Sequence, residues 1–267
     1  MDMGETQSTD ISSGVPNLEQ SQPTPKKPVV VGIYGLPGCG KTYLLSYLRD
    51  YLKEDEFLSY DGSQVIADLV PGGLLAFQNM SEAEKSHWRD RAIRKIQLYC
   101  VNSGRTAVVA GHYMFWDESE EVGKTICTTG DLGVYTHIIF LNVPAEVIAS
   151  RRQNDRERSR PIISVSHVRR WQHAEMSELR SLCRSHGILF AAFNAAWILN
   201  RKSLVEKAAA LLRDFRSHTQ DYNLLVANRK LDETIAAIPS QLDTMLVMDG
   251  DKTLAAEDAS ALFWQKD

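Results

Sequence analysis

The chain shows no excess of basic residues. Thirty Lys and Arg stand against 34 Asp and Glu, a formal charge of -4, so nucleic acid would have to be met by a local patch rather than by overall attraction. The four cysteines, Cys39, Cys100, Cys127 and Cys183, form no close pair and no zinc-type spacing, which fits free thiols in a reducing compartment. No apolar run reaches the ~20 residues that span a bilayer. The N-terminus lacks the basic start and apolar stretch of a secretory signal. Trp88, Trp116, Trp171 and Trp197 follow no base-stacking pattern and are expected in the core. These absences leave a cytoplasmic protein with no membrane partner as the expectation; oligomeric state stays open.

With 267 residues, 43% of them hydrophobic, the chain has enough apolar material for one substantial core. Residues 1–27, rich in Ser, Thr, Gln, Pro and acids, have too little to bury and are expected to form a disordered tail. Order is expected to begin with the β-branched run Val29-Val30-Val31-Gly32-Ile33-Tyr34, long enough for a fully buried strand. Beyond it, helical spacing (Leu44, Leu45, Leu48, Leu52) alternates with short apolar strands at 57–60, 106–110, 135–143 and 188–193. Ser81-Glu82-Ala83-Glu84 reads as the capping box of a helix over 81–101. Such alternation predicts a mostly parallel, five-stranded sheet covered by helices on both faces. In these sheets ligands sit at the carboxyl ends of strands. A polar connector, 218–240, with a helix near 223–238, leads to a new apolar strand at Met245.

The segment Gly35-Leu36-Pro37-Gly38-Cys39-Gly40-Lys41-Thr42 matches G-x-x-x-x-G-K-[ST] at every fixed position. A triphosphate needs several backbone N–H groups converging on it, and glycine lets the chain turn without Cβ obstruction. Lys41 supplies a cation for the β and γ oxygens, and the Thr42 hydroxyl supplies a Mg²⁺ ligand. The helix that follows turns its positive end toward the anion. ATP and Mg²⁺ are the implied cofactors.

This loop in its strand–loop–helix setting resembles the P-loop kinases of the adenylate, shikimate and gluconate kinase type, and also polynucleotide 5′-kinases. The resemblance covers roughly residues 28–215, within a domain drawn at 28–217, and implies an α/β P-loop NTPase three-layer sandwich. By position it implies that Asp61, after the second strand, orients the acceptor hydroxyl or takes its proton. It implies a lid in Arg151-Arg152-Gln153-Asn154-Asp155-Arg156-Glu157-Arg158-Ser159-Arg160, with Arg152, Arg156 and Arg160 as the contacts to ATP. Asn194, after the fifth strand, falls where related folds hold the adenine edge. The third strand ends in Gly111-His112-Tyr113 with no acid at the Walker B position, and His112 is read as a structural residue ahead of a substrate contact.

Near the C-terminus an apolar strand runs into Asp249-Gly250-Asp251-Lys252-Thr253-Leu254. Residues two apart at a strand end point the same way, so both carboxylates can face one phosphate. The D-x-D-x-T pattern resembles the first motif of haloacid-dehalogenase-type phosphatases, which implies a nucleophile in Asp249, an acid–base in Asp251 and a loop-steadying Thr253. Only residues 241–267 would belong to that domain, leaving no room for the later lysine and acidic pair of the family. We therefore expect a truncated C-terminal segment, a fragment of a kinase–phosphatase fusion, and no phosphatase activity from this chain.

Taken together, the sequence favours an ATP-dependent phosphotransferase acting on a hydroxyl of a small molecule. A polynucleotide 5′-kinase is the first alternative, disfavoured by net charge. A nucleotide-dependent regulator is the second, favoured by the missing Walker B acid and disfavoured by the arginine run.

Overall fold

The computed structural model describes residues 27–155, 161–193, 201–217 and 220–237. The chain divides into two compact units between Leu212 and Arg213. In the first, five parallel strands form one sheet: β1 (Val30–Tyr34), β2 (Phe57–Asp61), β3 (Thr106–Ala110), β6 (His137–Leu141) and β7 (Leu189–Phe193), in the order β2-β3-β1-β6-β7. A separate antiparallel pair joins β4 (Met114–Phe115) to β5 (Lys124–Thr125).

Every residue of β1, β3 and β6 is buried, as expected of strands covered on both faces. Their side chains are those the hydrophobic runs supply, and Ile33, Ile138, Ile139 and Phe140 lie in the centre of the core. Between strands run α1 (Lys41–Tyr51), α2 (Gly62–Leu69), α3 (Gly73–Gln78), α4 (Glu82–Ser103), α5 (Thr129–Val134), α6 (Ala145–Gln153) and α7 (Val165–Ser185), followed by α8 (Arg201–Ser217) and α9 (Gln220–Ala236). α1 buries Leu44, Leu45 and Leu48, one stripe of a 3.6-residue period. The capping box of α4 is complete: Ser81 Oγ accepts from the Glu84 amide at 3.4 Å and Glu84 Oε2 accepts from the Ser81 amide at 2.9 Å.

One consequence of the strand order positions the site. After β3 the chain crosses over β1 to form β6, so the carboxyl end of β1 lies between those of β3 and β6. Loops leaving β1, β2 and β3 at that end share one crevice, the expected place for a ligand. Among the described residues, no helix is long and apolar enough to cross a membrane.

Candidate active site

The loop from Gly35 to Gly40 joins buried β1 to α1. Gly35 has φ +137°, and a Cβ there would lie 3.0 Å from both Cys39 Sγ and the Leu141 carbonyl oxygen. Gly40, the N-cap of α1, is left-handed at φ +100° and offers no side chain to the first amides of the helix. Those amides and the positive end of the helix are thus available to an anion. Below the loop Cys39 is buried, and burial pushes its thiol pKa up, so it packs as a neutral group.

Lys41 is 7% exposed. Its Nζ donates to the Gly35 carbonyl at 2.5 Å and the Leu36 carbonyl at 3.3 Å, and lies 3.3 Å from His112 Nδ1. Next to it, Thr42 Oγ1 donates to Asp61 Oδ2 at 3.1 Å. The other oxygen, Asp61 Oδ1, accepts from the Ser63 amide at 3.0 Å and caps α2. Gly62 is required here for a different reason than the loop glycines: a Cβ would meet the Ala110 carbonyl oxygen at 2.9 Å, so its absence lets β2 and β3 end side by side. A glycine cradle, a buried ammonium and a hydroxyl paired with a carboxylate together fit a Mg²⁺-bound triphosphate. Among the described residues no group of three or more His, Cys, Asp or Glu could hold a metal ion.

The end of α6 braces the loop from outside. Arg151 Nη1 donates to the Cys39 carbonyl at 3.0 Å, while Arg152, buried, donates to the carbonyls of Pro37 at 3.4 Å and Pro161 at 3.2 Å. The structure thus gathers Lys41, Thr42, Asp61, His112 and Arg152 around one loop. Arg156, Arg160, Asn194, Asp249, Asp251 and Thr253 lie outside the described residues.

Sequence reasoning passed over two elements of this site. Arg151 was legible only as one member of a charge run. Glu175, on α7, carries no motif at all, yet it is fully buried and accepts from Trp171 Nε1 at 3.0 Å. Burial raises its pKa from 4.5 to about 7, against the opposing charge of Lys41.

Alongside the cradle lies a cavity of about 710 Å³. Pro37 and His112 border it on the loop side and Gly62 and Ser63 on the α2 side, while Phe77, Ile93, Ile96 and Tyr135 give it apolar walls. This size suits a compact organic ligand.

The family model described as an AAA domain matches residues 34–169. No curated protein matches the chain. Among solved structures, a shikimate kinase from Bacteroides thetaiotaomicron is 15% identical over 70% of this chain and 97% of its own, with a TM-score of 0.48. The tunicamycin resistance protein of Deinococcus radiodurans is 18% identical over 70% of this chain and 96% of its own, with a TM-score of 0.42.

Proposed function

Since the chain belongs to the AAA domain family, we propose that it is an ATP-dependent phosphotransferase whose acceptor is a hydroxyl of a small molecule. The observation that carries this reading is the adjacency of two features: a phosphate cradle with Lys41 and Thr42 in place, and a half-open cavity beside it at the same strand ends.

When bound, MgATP supplies the phosphoryl group to be transferred. Lys41 offsets charge on the phosphate oxygens, and the amides at the start of α1 add fixed dipoles that need no reorganisation. Thr42 would hold the metal, and Asp61 holds Thr42. An ionised carboxylate has about four acceptor sites, so Asp61 can also orient the acceptor hydroxyl and take its proton. Arg156 and Arg160 would close over the nucleotide and exclude water, while Arg152, buried and bonded to the Pro37 and Pro161 carbonyls, fixes the loop together with Arg151. Asn194 is the residue proposed for the adenine edge. Asp249, Asp251 and Thr253 are read as a motif of the haloacid-dehalogenase type.

Nucleotide binding by calorimetry, followed by ATP consumption with sugars, polyols, nucleosides and 5′-hydroxyl oligonucleotides, tests the reading. Lys41→Ala is expected to lower acceptor-dependent turnover by about 10²–10³-fold, the usual effect of removing one stabiliser of transition-state charge. Turnover undiminished in Lys41→Ala, or no affinity for MgATP, overturns it.

A further inference from the structure

The wall of the cavity facing the cradle carries charge in an ordered way. α4 presents Glu82, Lys85 and Arg89 to the cavity from its first turns, then Ala92, Ile93 and Ile96. These positions share one helix face, so polarity changes along the axis of α4 instead of around it. Lys124 of β5 joins the charged end. Glu82 Oε1 accepts from both Lys85 Nζ and Lys124 Nζ at 3.1 Å, and Glu82 Oε2 lies 3.8 Å from Arg89 Nη1. One carboxylate therefore meets three cations.

The other acid on this wall, Asp131, is engaged in capping α5. Its Oδ2 accepts from the Thr128 amide at 2.8 Å and the Thr128 hydroxyl at 2.9 Å, and burial pushes its pKa up. The cluster keeps a positive excess. Arg89 in particular is withdrawn from water: its side chain is 15% exposed and its guanidinium stands 5.4 Å from the centre of the Phe77 ring. A guanidinium held on an aromatic face at the rim of an apolar cavity is pre-organised for a planar or tetrahedral anion. Glu82, half exposed, can swing into solvent to make way.

We propose that the acceptor has a largely apolar body bearing an anionic group, a carboxylate or a phosphate monoester, which Arg89, Lys85 and Lys124 bind. The apolar body lies against Phe77, Ile93 and Ile96. The link from this anion site to the phosphorylated hydroxyl rests on the phosphotransferase reading; the anion site itself rests on the contacts of α4 and β5.

Calorimetry on the full chain with 1-naphthyl phosphate, 1-naphthoate and 1-naphthol tests it. Both anions are expected to bind at least ~10-fold more tightly than naphthol and to weaken with added salt, and their ratio shows which anion the site prefers. Arg89→Ala is expected to weaken the anions by about 10–100-fold, as loss of a charge-assisted bond does, with naphthol little changed. Lys41→Ala is expected to leave anion binding intact. Should Arg89→Ala lose its circular-dichroism signature, Lys124→Ala, at a more exposed position, carries the same test with a several-fold effect. Equal affinity for naphthol, unchanged binding in folded Arg89→Ala, or anion binding abolished by Lys41→Ala overturns the proposal. Anion binding that depends on Arg89 without any acceptor-dependent turnover upholds the anion site and sinks the phosphotransferase reading. Turnover that prefers neutral acceptors does the reverse.

Discussion

The two halves of the site are built by opposite means. The cradle is one contiguous octapeptide, Gly35 to Thr42, and most of its chemistry is backbone: three glycines at positive φ, the amides that begin α1, and carbonyls that hold Lys41. The cavity is assembled from side chains on α2, α3, α4 and β5, which adjoin one another only after folding. A phosphate chain is the same in every nucleotide, so a fixed backbone geometry serves it. Acceptors differ, and a surface made of side chains can change without disturbing the sheet. Under the proposed function, what is general to phosphoryl transfer is encoded locally and what is specific to the acceptor is distributed.

The sharpest challenge to that contrast comes from Glu175, a distant side chain beneath the local cradle. Its pKa, raised from 4.5 to about 7 by burial, means that the folded state holds a proton the unfolded state releases. Stability is therefore expected to fall as pH rises from about 4.5 to 7 and to level off above, a loss of roughly 3 kcal/mol at most. Glu175→Gln should flatten this slope and raise the melting temperature at pH 8 relative to the wild type, measured by thermal scans across pH. A pH profile unchanged by the substitution would show that Glu175 is not the group responsible. Gly35→Ala probes the backbone half directly. With φ +137° and two contacts at 3.0 Å, it is expected to cost about 2 kcal/mol in urea unfolding and to weaken nucleotide binding. The smallest expected change in stability separates the two duties of Asp61. Asp61→Asn retains a cap for α2 and should stay within about 0.5 kcal/mol of wild type, whereas Asp61→Ala should lose about 1 kcal/mol. Both should depress turnover by about 10-fold or more if the carboxylate serves the acceptor hydroxyl; equal turnover in Asp61→Asn would confine the residue to capping.

The same contrast governs what could be read in advance. The parallel five-stranded sheet was legible because its strands are continuous apolar runs between helical periods. The α4 capping box was legible because its partners are three residues apart. The pair β4–β5 and helix α5 were not: two-residue strands and six-residue helices are too short to show a period. The loop motif located Lys41 and Thr42, and the end of β2 located Asp61. No local pattern tells that Lys124 meets Glu82 or that Arg89 stands over Phe77, because those pairs are made by tertiary packing. Arg151 and Arg152 illustrate the limit most plainly. Adjacent on α6, they bond different carbonyls of the loop, whereas the sequence reading assigns Arg152 to ATP and leaves Arg151 within a charge run.

The grip of Lys41 on Gly35 and Leu36 bears on how tightly any nucleotide can be held. A nearly buried ammonium without a partner would carry a large desolvation penalty; here the loop itself solvates it. On the proposed function, an arriving phosphate has to outcompete two carbonyls, and its affinity is the margin between rival ligands of one cation. Such an arrangement trades tightness for an anion-binding loop that keeps its shape while empty.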